Sequence, residues 1–218
     1  MAQVNINSIS GRLEGVYKKS ENPKAPCVLL LHPHPLYDGN MYSKIIFLLE
    51  KVFFRNGFST LKFNFRGVGN SEGIYGEGKE EIVDASICYD WLQENNLDSK
   101  IFWAAGFSFG AYIAIQMMMR RVEISRFIAI GTPANMFDIS FIYPCPVDGL
   151  FIHAEKDIIA PLKEAERVIK KAVRTKDKTI EYELIKNADH FFTHHLDELE
   201  IILENYIQKE IKKFNIDK

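Results

Sequence analysis

The pentapeptide Gly106-Phe107-Ser108-Phe109-Gly110 stands between two apolar runs of different length. Ile101-Phe102-Trp103-Ala104-Ala105 before it has the length of a buried strand, and Ala111 to Met119 after it has the length of a buried helix. A serine on so sharp a strand-to-helix turn needs neighbours without Cβ atoms, so that the chain can pass close to itself and leave the hydroxyl exposed. The N–H groups that follow open a helix N-terminus, where negative charge is favoured. G-x-S-x-G in this setting reads as a nucleophile elbow and makes Ser108 a candidate nucleophile. A glycine-serine turn without chemistry is the alternative.

The rest of the chain repeats the strand-then-helix order. Residues 4–18 read as two short strands around Ser10-Gly11, an antiparallel hairpin at a sheet edge. Cys27-Val28-Leu29-Leu30-Leu31 is apolar on both faces, as a central parallel strand requires. A helix is expected over 41–55, stopping at Asn56-Gly57, then a strand over 58–65 and a turn-rich loop, Arg66 to Gly73. Further helices are expected over 79–95, 162–173 and 195–213. Further strands are expected at Phe127-Ile128-Ala129-Ile130, at Leu150-Phe151-Ile152-His153, and over 179–185, which closes the sheet. This alternation predicts an α/β fold, a three-layer α/β/α sandwich on a mostly parallel, doubly wound sheet. Residues 1–218 show no linker or internal repeat and read as a single domain. Only residues 132–148, with Pro133, Pro144 and Pro146, connect Gly131 to the next strand. That is too short for a lid and predicts an open site edged by Phe137, Phe141 and Tyr143, with Phe107 beside the serine as a further pocket candidate.

Composition narrows the partners. A chain of 218 residues with formal net charge −2 carries no basic excess for nucleic acid. No apolar run reaches the roughly 18–20 residues of a membrane span. The N-terminus has neither a basic segment nor an apolar core of a signal peptide. Cys27, Cys88 and Cys145 are an odd, widely spaced set that reads as buried free thiols, and a cytoplasmic location is expected.

Ser108 needs a base, and the base needs an orienting carboxylate. In doubly wound sheets such groups gather after the C-terminal ends of strands. Of six histidines, His190 lies in Asn187-Ala188-Asp189-His190-Phe191-Phe192, between the last strand and the last helix. Asp157 lies just past the preceding strand, in His153-Ala154-Glu155-Lys156-Asp157. Glu155 is the alternative acid, closer to the strand end and of shorter reach. Asp189 is read as organising its own loop, and His194 and His195 as facing solvent. Ser, Asp, His is then the chain order of the catalytic groups. The loop Leu31-His32-Pro33-His34-Pro35 should supply a second oxyanion donor beside the Phe109 N–H. Its prolines cannot donate, which leaves the main-chain N–H of His34. His32 reads as structural. The pairs His32/His34 and His190/His194 could be metal ligands, but no Glu stands beside His190 as in H-E-x-x-H, and no metal is expected. Arg66 to Ser71 lacks the glycine and lysine positions of phosphate loops; it reads as a structural turn with Arg66 bonding backbone carbonyls. No cofactor is implied.

These motifs resemble the α/β-hydrolase superfamily, and within it the small lidless bacterial hydrolases related to dienelactone hydrolases and to prolyl-oligopeptidase-like catalytic domains. The resemblance rests on Leu31 to Pro35, Phe63 to Gly73, Gly106 to Ala111, Lys156-Asp157 and Ala188 to Phe192. It spans residues 27–192. It implies the same assignment: Ser108 nucleophile, His190 base, Asp157 acid. Two positions depart. Dienelactone hydrolases have a cysteine nucleophile where this chain has Ser108, and many superfamily members have His-Gly where it has His32-Pro33.

The expected activity is that of a serine hydrolase cleaving a small carboxylic ester or thioester through an acyl-enzyme. A peptidase or acyltransferase with the same three groups is a second reading, although no acidic anchor for a peptide amine is evident. A non-catalytic ligand-binding protein on the same scaffold is a third. Oligomeric state and acyl preference are not legible.

Overall fold

The computed structural model describes residues 1–174 and 178–214. Among them, eight strands form one sheet in the order β1-β2-β4-β3-β5-β6-β7-β8. Strands β1 (Ala2–Ser8) and β2 (Gly11–Lys18) make the expected hairpin, with Ser8 opposite Gly11. β2 also runs antiparallel to β4 (Ser59–Phe63). From there β3 (Cys27–Leu31), β5 (Phe102–Phe107), β6 (Ile124–Ile130), β7 (Asp148–Ala154) and β8 (Ile180–Ile185) all run parallel.

Every residue of β3, β4 and β5 is buried, which explains why their sequences carry no alternation. Helices α1 (Lys44–Arg55) and α5 (Leu196–Lys213) cover one face, where Phe53, Phe58 and Trp103 pack edge to face. Helices α2 (Lys79–Glu94), α3 (Phe109–Met118) and α4 (Leu162–Ala172) cover the other, over Phe127 and Phe151, with Tyr89 of α2 packed on Phe102. Each of these large apolar side chains contributes roughly 1.5–3 kcal/mol relative to exposure. The three-layer sandwich expected from the alternation is the fold, without a lid domain.

Three expectations are corrected. The helix expected from 41 begins at Lys44, because residues 40–43 form a turn in which the Ser43 N–H donates to the Asn40 carbonyl and the Met41 N–H to Asn64 Oδ1. Among the described residues, Arg66 bonds no backbone carbonyl. Its guanidinium is buried and meets the Asp84 carboxylate twice, at 2.7 and 2.8 Å, with Glu80 as a further partner. A buried carboxylate on α2 requires a countercharge, and a forked guanidinium is the better partner for it. His195 stands at the N-cap of α5 and is half-buried rather than solvent-facing on the helix.

Cys27, Cys88 and Cys145 are free and buried, and burial pushes the Cys27 thiol up to about 11. Among the described residues no helix is long and apolar enough to cross a membrane.

Candidate active site

β5 lies centrally, and its end is where the chain must reverse into α3. Ser108 takes φ 55° and ψ −118°, a left-handed conformation that costs a non-glycine residue about 1–3 kcal/mol. The turn is held by the Ser108 N–H, which donates to the Ile130 carbonyl at 2.8 Å, and by the Ser108 carbonyl, which accepts from Ala111 and Tyr112. Both flanking glycines are sterically required. A Cβ on Gly106 would lie 2.1 Å from the Gly110 carbonyl oxygen, and one on Gly110 would lie 1.9 Å from that of Leu31. Gly110→Ala therefore forces β3 and α3 apart. We expect a loss of about 3 kcal/mol or more, read as a melting temperature lower by roughly 6–12 °C. A variant that melts with the parent would contradict this packing.

The loop that carries Asp157 follows β7. Asp157 is buried and its carboxylate is fully engaged: Oδ1 accepts the N–H groups of Ile159 (3.0 Å) and Ala160 (2.7 Å), and Oδ2 accepts His190 Nδ1–H at 2.7 Å. That last bond places the imidazole proton on Nδ1 and leaves Nε2 bare, the tautomer a general base needs. The His190 ring packs 4.9 Å from Phe107 and 5.2 Å from Phe191, centroid to centroid. Gly131, at φ +60°, leaves room for it, since a Cβ there would come within 3.3 Å of His190 Cε1. Glu155 does not join this group. Its carboxylate accepts the Asn187 N–H at 2.8 Å and laces the two loops together. Asp189 organises its own loop through the Thr193 N–H at 3.0 Å, which holds its carboxyl below the ordinary value.

Across the cavity, the loop after β3 is fixed by its histidines. His32 is fully buried, with Nδ1–H donating to the Pro33 carbonyl (2.6 Å) and Nε2 accepting from the Phe65 N–H (3.0 Å). Both ring nitrogens are spent, so it has none left for a metal, and burial lowers its pKa to about 3. His34 is half-buried among the rings of Tyr37, Tyr75 and Phe109. Its Nδ1 accepts from Leu36 N–H at 3.2 Å, so Nε2 carries the proton toward Tyr75 Oη at 3.1 Å. Among the described residues, neither the His34 main-chain N–H nor that of Phe109 donates to a protein acceptor.

Ser108 and His190 line one cavity of about 790 Å³, together with His34, Phe107, Phe109 and Phe137. No Ser108–His190 hydrogen bond is formed among the described residues; such bonds often tighten only when substrate arrives. Two expected edge residues are elsewhere. Phe141 packs against the core under α2–α4, and Tyr143 is exposed beside Ser140, Arg167 and Lys171 in a separate concavity. The segment 132–148 turns through a short helical turn at Ser140–Ile142, which carries them past the cavity. In their place stand Met136, Ile159, Phe191 and Leu196, with Asp38 and Lys44 as charged groups at the wall. Asp38 takes φ 59° at the end of a helical turn over Pro35–Tyr37, a placement no local motif announces.

Residues 16–210 match the model of the X-Pro dipeptidyl-peptidase (S15) family. An uncharacterized protein of Rickettsia prowazekii (strain Madrid E) is 40% identical over 211 residues, covering 95% of this chain and 89% of that protein. The crystal structure of a protein of unknown function from Agrobacterium tumefaciens, described as a candidate α/β hydrolase, is similar at TM-score 0.94 and 40% identity, over 97% of each chain. An α/β serine hydrolase homologue from Coxiella burnetii is similar at TM-score 0.83 and 27% identity, over 94% of this chain and 96% of that one.

Proposed function

The chain belongs to the X-Pro dipeptidyl-peptidase (S15) family of the α/β-hydrolase superfamily, and from that premise we propose that this hydrolase cleaves a small carboxylic ester or thioester through Ser108, His190 and Asp157. In this reading His190 Nε2 takes the Ser108 proton as Oγ attacks the acyl carbonyl. Asp157 holds the imidazole on its Nδ1–H tautomer and stabilises the imidazolium. The N–H groups of Phe109 and His34 receive the oxyanion, and His190 returns the proton to the leaving group. Water then repeats the sequence on the acyl-enzyme. The enzyme acts as a single cytoplasmic domain on a small acyl substrate and needs neither cofactor nor metal.

The observation that carries this reading is the 2.7 Å His190–Asp157 bond on the wall of the cavity that Ser108 enters from a strained turn. The aromatic and aliphatic lining suits an uncharged acyl or alcohol group.

A peptidase is the second reading. The family's description favours it, and so does Asp38, a carboxylate at the cavity wall able to meet a peptide's amino terminus.

A fluorophosphonate probe should add covalently to Ser108, seen by intact-protein mass and peptide mapping. Turnover of short p-nitrophenyl esters should exceed that of Xaa-Pro p-nitroanilides. The reverse order makes the peptidase reading the right one. A folded sample that neither labels nor turns over either substrate is a binding protein, and the proposal fails.

A further inference from the structure

His153, the penultimate residue of β7, is wholly buried beside the acid's loop and has no part in the sequence of steps above. Its Nε2–H donates to the Ala160 carbonyl at 2.7 Å, and the same nitrogen lies 3.8 Å from Asp157 Oδ2. Ala160 is also the residue whose N–H donates to Asp157 Oδ1 at 2.7 Å. Both main-chain polar groups of Ala160 are therefore held, the carbonyl by His153 and the N–H by Asp157. The next residue is Pro161, which has no N–H of its own to help fix this stretch.

A carbonyl can only accept, so the His153 proton must sit on Nε2. Nδ1 is then bare, and it is buried without a partner among the described residues. An orphaned buried acceptor costs stability and asks for an explanation. The geometry supplies one. A ring protonated at both nitrogens would place a positive charge 3.8 Å from Oδ2, the oxygen that serves His190. A neutral ring with one proton, spent on Ala160, fixes the loop without competing for the carboxylate. Burial lowers the pKa of His153 and favours that neutral form.

We propose that His153 is a positioning residue: by clamping Ala160 it aims an N–H at Asp157 Oδ1 and so keeps Oδ2 turned to His190 Nδ1. Glu155 and Asn187 lace the same two loops at the surface, but neither touches the carboxylate. The clamp rests on the proposed roles of Asp157 and His190, and its test separates the two ideas.

The comparison is of His153→Phe and His153→Gln in the full chain. Phenylalanine keeps a ring and removes the donor; the glutamine amide reaches as far as Nε2 and restores an N–H for the Ala160 carbonyl. Three readouts apply: kcat and KM for a short p-nitrophenyl ester, the low-field proton resonance of His190 Nδ1–H, and the ¹⁵N shifts that report the His153 tautomer. His153→Phe should lose about tenfold to a hundredfold in kcat with KM little changed, the scale expected of a misplaced group. Its low-field resonance should shift or broaden. His153→Gln should recover most of the rate and the resonance. A phenylalanine variant with parental kcat and resonance overturns the clamp. So does a glutamine variant as impaired as the phenylalanine one, because packing alone then accounts for the loss. Should His153→Phe fail to fold, the parent decides: an Nδ1–H tautomer at His153 overturns the proposal and an Nε2–H tautomer supports it. If the parent turns over no ester, the hydrolase reading fails, while the resonance in the Phe and Gln variants still decides the clamp.

Discussion

Ser108→Ala should lower kcat for ester hydrolysis by about a million-fold, the scale at which loss of a nucleophile leaves only binding and oxyanion stabilisation. The structure makes the substitution clean. The Ser108 hydroxyl caps no helix, and its backbone bonds to Ile130, Ala111 and Tyr112 are main-chain bonds that alanine keeps. Alanine carries the same strain at φ 55°, so the elbow, the cavity wall and the Phe109 N–H stay in place. Melting temperature should therefore move by no more than a few degrees, and KM for a residual reaction should stay near the parental value. Intact-protein mass after probe treatment should show no adduct. Residual turnover within a hundredfold of the parent would assign the nucleophile elsewhere.

The parts of the candidate site that could be read are those whose geometry demands a particular backbone. Ser108 is one: the glycines around it are required because Leu31 and Gly110 carbonyls fill the space where their side chains would stand, and that requirement is written as G-x-S-x-G. His190 and Asp157 were reachable by elimination, since a parallel sheet delivers its loops to one end. The preference for Asp157 over Glu155 rested on the better reach of a carboxylate in the loop proper. β7 ends at Ala154, so Glu155 is still bonded through its N–H to Ile185 and is spent on loop lacing.

Other features were hidden for a physical reason. Phe141 and Tyr143 sit in the right segment of chain, but a short helical turn at 140–142 carries them away from the cavity. Asp38 reaches the cavity only because the Pro33–Gly39 loop closes through hydrogen bonds from the Tyr37 and Gly39 N–H groups to the His34 carbonyl. Arg66 was read as bonding nearby backbone carbonyls, because its carboxylate partner Asp84 lies a whole loop away on α2. His153 reads in sequence as one more residue of a buried strand. Its bond to Ala160 spans seven residues and follows no periodicity.

Asp157→Asn tests the acid more sharply than deletion would. The asparagine oxygen can still accept the Ile159 and Ala160 N–H groups at the position of Oδ1. Its amide nitrogen must then occupy the position of Oδ2 and face His190 Nδ1. An NH₂ group there can only donate, so Nδ1 must give up its proton and become an acceptor. The proton moves to Nε2, the nitrogen that has to be bare to accept one from Ser108. The fold is kept and the tautomer is reversed. A loss of about 10⁴ in kcat is expected, with little change in melting temperature. Glu155→Gln is the matching control. Its side chain can still accept from the Asn187 N–H and touches no imidazole, so kcat should hold within about fivefold, as for a surface change away from the site. Equal losses in the two variants would mean that the carboxylates act by general electrostatics rather than by setting the tautomer. A loss confined to Glu155→Gln would transfer the role of acid to that residue. The low-field Nδ1 proton resonance distinguishes these outcomes without reference to any substrate: it should vanish in Asp157→Asn and persist in Glu155→Gln.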